Sequence, residues 1–434
     1  MITARELARD VLVRVEDGAY SNLVLPELLR RTGLSSRDRA FVTELVYGTL
    51  RARRRLDDRL ATHLRRPLDA LDPPVRAALR LGAYQLEAGV APHAAVGETV
   101  EVTPPRARGF VNGVLRALAA TGPPFPEQHR PGVALSYPDW IVDRLTRDLG
   151  ADEARAALEA QNEAPVLTLR PNPRRTTPAA LVAELTAAGA SVVPGRLVTD
   201  AVGVRGAGDT AALAVVHEGR ATPQDEASQA VVTLLDAQPG DRVLDVAAAP
   251  GGKATGVGER VGDDGLVVAA DIHPGRLRLV ADAARRLGLT TVRSVLADGR
   301  RLPVRDDGVD RVLVDAPCSG LGVLRRRPEA RWRVGEPSPD LVDLQTALVL
   351  TAAPAVRPGG QLLYSVCTLT RAETTGVAAR VLSALGDTFA VLDPPPAPWR
   401  PWGPGALLLP HDANTDGMFV LSLRRVPGAA GTGR

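Results

Sequence analysis

Two cysteines and one lysine are the chemically pointed residues of this 434-residue chain. Cys318 lies in DAPCSG (Asp315–Gly320), Cys367 in YSVCT, and Lys253 in AAAPGGKAT. Of 53 basic residues 52 are Arg, so the one lysine marks a position that needs a compact ammonium and not a guanidinium fork. A thiolate can split one difficult step into two easier ones by forming a covalent intermediate. Carbon 5 of a pyrimidine is too weak a nucleophile to take a methyl group. A thiolate that adds to carbon 6 makes carbon 5 enamine-like and reactive. A carboxyl group such as Asp315 can promote that addition at ring N3, and a base must afterwards remove the carbon 5 proton. One thiol as nucleophile and the other assisting elimination would use both cysteines, and local chemistry does not rank them. Other roles fit less well. A lone Cys is often a small buried hydrophobe. A zinc site needs about four ligands, and two Cys with six scattered His offer no such set. A disulfide does not suit the cytoplasmic location expected of this chain.

These residues need a scaffold. At 434 residues, with 45% apolar but only 3% aromatic residues, two or three domains with Ala/Val/Leu cores are expected. No apolar run reaches the ~18 residues that span a bilayer, and MITARELARD is too charged for a signal peptide. Residues 1–150 read as an all-α domain. Thr3 and Glu6 form a capping-box pattern, Ser35 or Ser36 caps a second helix carrying Phe41, Val42, Leu45, Val46 and Leu50, and RGFVNGVLRAL is a further buried helix. Residues 151–222 read as a small α+β module, with a strand APVLTLRPN and a helix opened by Thr177 and Pro178. Residues 223–426 alternate strand and helix through RVLDVAA, LVVAADI, TVRSVLAD, DRVLVDAP and GQLLYSVC, which implies a Rossmann-like α/β domain around a parallel sheet. FVLSLRR is expected at an edge, and residues 427–434 as a disordered tail.

In such a sheet, ligands bind at the carboxyl ends of the strands. The loop Ala247, Ala248, Ala249, Pro250, Gly251, Gly252, Lys253 follows the first strand there. It is not a P-loop, because Ala247 stands where the first glycine belongs and Ala254 follows the lysine. Asp271 ends the second strand, placed for ribose hydroxyls. Asp298 ends the third, placed for an adenine amino group, and Asp315 ends the fourth. Strand-end Asp residues often only cap the next helix, but the ordered series without a phosphate clamp suits a nucleoside. S-adenosylmethionine fits.

At these residues the chain resembles a known family. LDVAAAPGGKAT, AADIHPGRL, LADGRRLP, VLVDAPCSGLGVLRRRPEARW and YSVCT look like successive motifs of the Sun/RsmB RNA cytosine-5 methyltransferases. AFVTELVYGTLR, PHAAVGETVEV and FVNGVLR resemble the NusB-like helical domain fused to them in bacteria. The resemblance covers nearly the whole chain. It implies a class I S-adenosylmethionine-dependent methyltransferase domain behind a NusB-like RNA-binding domain, and 16S rRNA as substrate, free or in an early small-subunit assembly intermediate. It implies Cys367 as nucleophile and Cys318 as the thiol that assists product release, with the donor against Ala247–Lys253, Asp271, Asp298 and Asp315. The chain departs from the family pattern at Ala247, Ala254 and Val366, and at Thr374, which follows Glu373 where the family often has Asn.

Residues 1–150 hold 22 Arg against 18 acidic residues, and the remainder 31 basic against 32 acidic, so the basic surplus sits at the front. That helps hold a polyanion. Arg325, Arg326, Arg327, Arg331 and Arg333 follow Cys318 closely and could bind phosphates, and Trp332 could stack on a base. The target base must leave its stack to reach both thiols. A monomer without metal is expected. A non-enzymatic RNA-binding assembly factor is the alternative, but both thiols, Lys253 and the strand-end Asp residues are kept. A dinucleotide oxidoreductase lacks its Gly-x-Gly-x-x-Gly.

Overall fold

The computed structural model describes residues 2–121, 130–205, 213–336 and 338–428. The expected tail therefore falls almost wholly outside the described residues. The chain forms two compact units. One comprises Met1–Ala164 with Leu324–Val334, the other Pro165–Val323 with Gly335–Arg434.

The first unit is helical. Thr3 caps the helix Ala4–Glu16 by accepting from the Glu6 amide at 3.2 Å, and Ser35 caps Ser36–Ala61 through the Asp38 amide at 3.1 Å. Leu7, Val11, Val42, Leu45, Val46 and Leu81 form one core cluster. Leu56, Leu60, Leu79, Val111 and Leu115 form another. The helix Arg108–Ala120 buries Val111, Val114, Leu115 and Leu118 but leaves Phe110 exposed. The unit continues past residue 150. The helix Ala151–Ala160 buries Ala154, Ala157 and Leu158 in it, and Tyr137 Oη donates to the Leu158 carbonyl at 3.2 Å.

The second unit opens with a small sheet. Its strands are β1 (Leu167–Pro171), β2 (Ser191–Pro194), β3 (Val202–Arg205) and β4 (Ala221–Pro223), in the antiparallel order β2-β3-β1-β4. The helix Pro178–Ala187, capped by Thr177, packs Leu181 and Leu185 into its core. The main sheet follows: β5 (Arg242–Val246), β6 (Leu266–Asp271), β7 (Val292–Leu296), β8 (Val309–Asp315), β9 (Val356–Val366), β10 (Phe389–Val391), β11 (Arg400–Trp402), β12 (Gly405–Leu408) and β13 (Met418–Arg425). The order is β11-β12-β13-β9-β8-β5-β6-β7, with β10 also on β13. Strands β7, β6, β5, β8 and β9 are parallel, and β13 runs antiparallel to β9. FVLSLRR is thus an interior strand and not an edge. β13 lies between β9 and β12 with Met418 to Leu421 and Leu423 buried, because the short strands β10 and β12 cover its other side. From β5 the chain builds outward through β6 and β7, then returns to β8 and β9 on the opposite side. The reversal falls between β5 and β8.

Candidate active site

The loop after β5 is shaped by backbone. Ala247 has φ +62° and Gly251 φ +103°. A Cβ on Gly251 would lie 2.9 Å from Val280 Cα, so the loop lies against the helix Pro274–Leu287 only because that side chain is missing. Asp271, at the end of β6, holds the loop. Its Oδ2 accepts from the Ala249 amide at 3.1 Å and its Oδ1 from the His273 amide at 2.9 Å. Arg276 Nη2 donates to the Ala249 carbonyl at 2.8 Å.

Across the β5/β8 reversal, Lys253 Nζ lies 2.7 Å from Asp315 Oδ2, while Ser365 Oγ of β9 donates to Asp315 Oδ1 at 2.8 Å. Burial penalises the ammonium, but Asp315 outweighs it and the net shift of Lys253 is upward. The lone lysine thus forms a point-charge pair with the aspartate that opens the first cysteine motif.

The two thiols meet. Cys318 follows β8 and Cys367 follows β9, adjacent parallel strands in register, with Asp315 opposite Ser365. Their sulfurs are 3.4 Å apart. With Cys318 Sγ–H donating, this contact draws the Cys367 thiol below its ordinary value, against burial and Asp315, with Lys253 adding to the pull. The same contact, then burial, push the Cys318 thiol well above. The DAPCSG loop is fastened to the second cysteine: the Gly322 amide donates to the Cys367 carbonyl at 2.9 Å, and Gly417 donates to the Gly322 carbonyl at 2.9 Å. Among the described residues no cluster of His, Cys, Asp and Glu could hold a metal ion.

Asp298 follows the end of β7. Its carboxylate is bound by Arg300 through Nε at 3.0 Å and Nη2 at 2.7 Å, which with the Arg300 amide brings its pKa down to about 2. Ile272, after Asp271, and Leu296, opposite Asp271 in register, are exposed apolar side chains at the same strand ends.

Sequence reasoning missed three groups. Asp245 of β5 is fully buried, and among the described residues neither of its carboxylate oxygens has a hydrogen-bond partner. Burial, then Asp315, raise its pKa well above the ordinary value. A lone Asp in the apolar run RVLDVAA was the available signal. Arg170 of β1 reaches from the small sheet to the helix Gly252–Val261, which follows the loop after β5. Its guanidinium binds Glu259 at 2.8 and 3.1 Å, Thr255 Oγ1 at 3.1 Å, the Gly252 carbonyl at 2.7 Å and Gln224. Glu373, noted only for the residue after it, is fully buried beside both cysteine loops. Thr374 donates to the Thr370 carbonyl at 2.7 Å, within the same turn.

The arginine-rich stretch divides. Arg331 is fully buried in the helical unit, stacked 3.8 Å from the Tyr137 ring centroid. It donates to the carbonyls of Arg51, Ser136 and Gln161 and to Asn162 Oδ1 at 2.7 to 3.3 Å. Burial pushes its pKa down to about 10. Arg325, also buried, donates to the Glu163 and Ala164 carbonyls. The expectation that Arg325 and Arg331 bind RNA phosphates is therefore corrected: their guanidiniums are consumed by backbone carbonyls. Arg333 donates to the Val15, Gly18 and Ala19 carbonyls. Trp332 is half-buried, with the Arg53 guanidinium 5.1 Å from its ring centroid. Arg326 and Arg327 are exposed.

Comparison with known proteins agrees with this arrangement. The model of the 16S rRNA methyltransferase RsmB/F family matches residues 232–424, that of the NusB family residues 2–120, and a ferredoxin-like domain model of RsmF/B-like methyltransferases residues 137–211. The ribosomal RNA small subunit methyltransferase B of Thermus thermophilus is 36% identical over 99% of both chains. This chain belongs to the RsmB/F family. Rv1407 of Mycobacterium tuberculosis is 41% identical over 94% of this chain and 93% of that one. The crystal structure of PH0851 shares the fold, with a TM-score of 0.83 at 24% identity over 98% of this chain and 99% of that one. The small sheet is thus the family's ferredoxin-like domain, and the main sheet its methyltransferase domain.

The methyl donor of an RsmB/F methyltransferase is S-adenosylmethionine, and the residues present fit it. The orphaned Asp245 carboxylate, the narrow loop at Gly251, the strand-end carboxylates and the apolar Ile272 and Leu296 together suit a cationic amino acid joined to a nucleoside.

Proposed function

We propose that this chain transfers a methyl group from S-adenosylmethionine to carbon 5 of a cytidine in 16S rRNA through a covalent bond between Cys367 Sγ and ring carbon 6. The observation that carries this reading is the meeting of both thiols at 3.4 Å next to the Lys253–Asp315 pair. Cys367, the thiol held below its ordinary value, adds to carbon 6. As the thiolate adds, a proton relayed from Lys253 Nζ through Asp315 to ring N3 neutralises the negative charge that develops on the ring, and that proton returns when the thiol is eliminated. The bound donor supplies an electrophilic methyl group to the enamine-like carbon 5. Cys318 serves release: after its own proton passes to solvent its thiolate takes the carbon 5 proton, a task its raised pKa suits, the carbon 5–carbon 6 double bond re-forms as the bond between sulfur and carbon 6 breaks, and the Cys367 thiolate returns.

The loop Ala247–Lys253 and Asp271 hold the donor's amino acid and ribose, and Asp298 its adenine. Arg326, Arg327 and the basic helical unit hold RNA backbone. The target base is extruded to reach the thiols. The test is methyl transfer from labelled donor to 16S rRNA lacking its modifications, with nucleoside analysis. Labelled 5-methylcytidine is expected. Label on another atom or base would overturn the assignment, and donor binding without transfer to any rRNA form would favour an assembly-factor role.

A further inference from the structure

One carboxylate ties the two cysteine loops together. Glu373 is fully buried, in the turn Ala372–Gly376. Its Oε1 accepts from the Ser319 amide at 2.8 Å and Gln345 Nε2 at 3.1 Å. Its Oε2 accepts from Ser319 Oγ at 2.5 Å, Thr370 Oγ1 at 2.9 Å and Thr368 Oγ1 at 3.1 Å. Ser319 is the residue after Cys318, and Thr368 the residue after Cys367. Tyr364 Oη, from the buried part of β9, holds the Glu373 carbonyl at 2.8 Å. A buried carboxylate is costly unless well bonded, and donors converge on both of its oxygens. In all five contacts the partner donates, and the carboxylate can accept them all; an amide would keep the two N–H donors on its oxygen but would reverse the hydroxyl bonds, forcing Ser319, Thr368 and Thr370 to accept and to send their protons elsewhere.

We infer that Glu373 is a positioning residue for the covalent step: by holding the neighbours of both cysteines it fixes the two sulfurs at reacting distance. It contacts neither sulfur, so it acts through the loops. This rests on the reading that both thiols take part. Its charge also disfavours a thiolate at Cys318, leaving the negative charge to Cys367.

The test compares wild type with Glu373→Gln in two assays. The first uses no RNA. Diamide takes two protons and two electrons from the thiols, becoming the hydrazine, as Cys318 and Cys367 close to a disulfide, and the loss of two thiols is followed by mass. Closure is expected to slow by about tenfold or more in Glu373→Gln, because exchange at sulfur depends on access and geometry. The second assay is methyl transfer, in which kcat is expected to fall by about 100-fold while donor affinity stays within about threefold. Should Glu373→Gln fold poorly, Ser319→Ala/Thr370→Val leaves the carboxylate and removes its two shortest hydroxyl donors; slower closure is expected there too. Closure at the wild-type rate in the folded variant, or loss of donor affinity in step with kcat, would overturn the inference. If wild type does not methylate cytidine, the closure assay still reads the clamp, so the two proposals fail separately.

Discussion

The Gly322 amide donates to the Cys367 carbonyl at 2.9 Å, joining the loop of one cysteine to the backbone of the other. A Cβ at Gly322 would lie 2.2 Å from the Gly417 carbonyl oxygen and 2.9 Å from that of Cys367. Both are backbone atoms, so something must shift. Gly322→Ala is expected to move Cys367 away from Cys318 and lower kcat on the order of 100-fold, the scale of an ångström's misplacement in an active site. Donor affinity should change little, since the loop Ala247–Lys253 is separate. Steady-state kinetics beside donor titration checks this.

Cys367 is held below the ordinary thiol value and Cys318 well above it. A free thiol titrates near 8.5, and thiolate increases as pH rises through the pKa. Iodoacetamide should therefore label Cys367 first, with a midpoint below that of an ordinary thiol, and Cys318 only at higher pH. Lys253→Met should raise the Cys367 midpoint by removing the nearby ammonium. Peptide mapping across pH reads both values, and first labelling at Cys318 would reverse the electrostatic order.

Arg170 and Glu259 form a buried ion pair linking the ferredoxin-like domain to the helix that opens at the donor loop. Removing one partner strands the other, a loss of about 3–5 kcal/mol for a buried pair. Arg170→Met should thus lower stability strongly and weaken donor binding, because the Gly252 carbonyl loses the nearer of its two side-chain donors and keeps Thr255 Oγ1 at 3.2 Å. Arg170→Met/Glu259→Met should recover most of the stability. Chemical denaturation of the three variants and wild type distinguishes this from an additive loss.

Asp245 carries the opposite cost. Its folded-state pKa lies well above the ordinary carboxylate value, so the folded protein keeps a proton that the unfolded chain releases above about pH 4. Stability contributed by this group therefore falls as pH rises beyond the unfolded value. Asp245→Asn removes the titration. Between pH 5 and 8 the donor-free wild type should lose stability relative to Asp245→Asn, and parallel curves would contradict the assignment.

The placing of the loop after RVLDVAA, Asp271, Asp298, Asp315 and Cys367 at or just past the strand ends was readable, because strand ends in a parallel sheet converge. The helical N-terminal region was readable from caps and 3.6-residue spacing, as at Thr3 and Ser35. Other features depend on who packs against whom. The interior place of β13 rests on the short strands FAV and GALL, too brief to carry a period. Arg331 resembled a phosphate ligand because sequence gives its charge but not the carbonyls of Arg51, Ser136 and Gln161 that surround it. Glu373 and Arg170 act through partners distant in the chain, at Ser319 and Glu259, and no spacing rule links such pairs.

The central claim is that Cys367 bonds to the base and Cys318 releases it. The most direct measurement incubates wild type, Cys318→Ala and Cys367→Ala with 16S rRNA and donor, then scores protein–RNA adducts on denaturing gels. An adduct that accumulates in Cys318→Ala, with neither adduct nor product in Cys367→Ala, is predicted. An adduct that accumulates in Cys367→Ala and is absent from Cys318→Ala would contradict the assignment and exchange the roles of the two thiols.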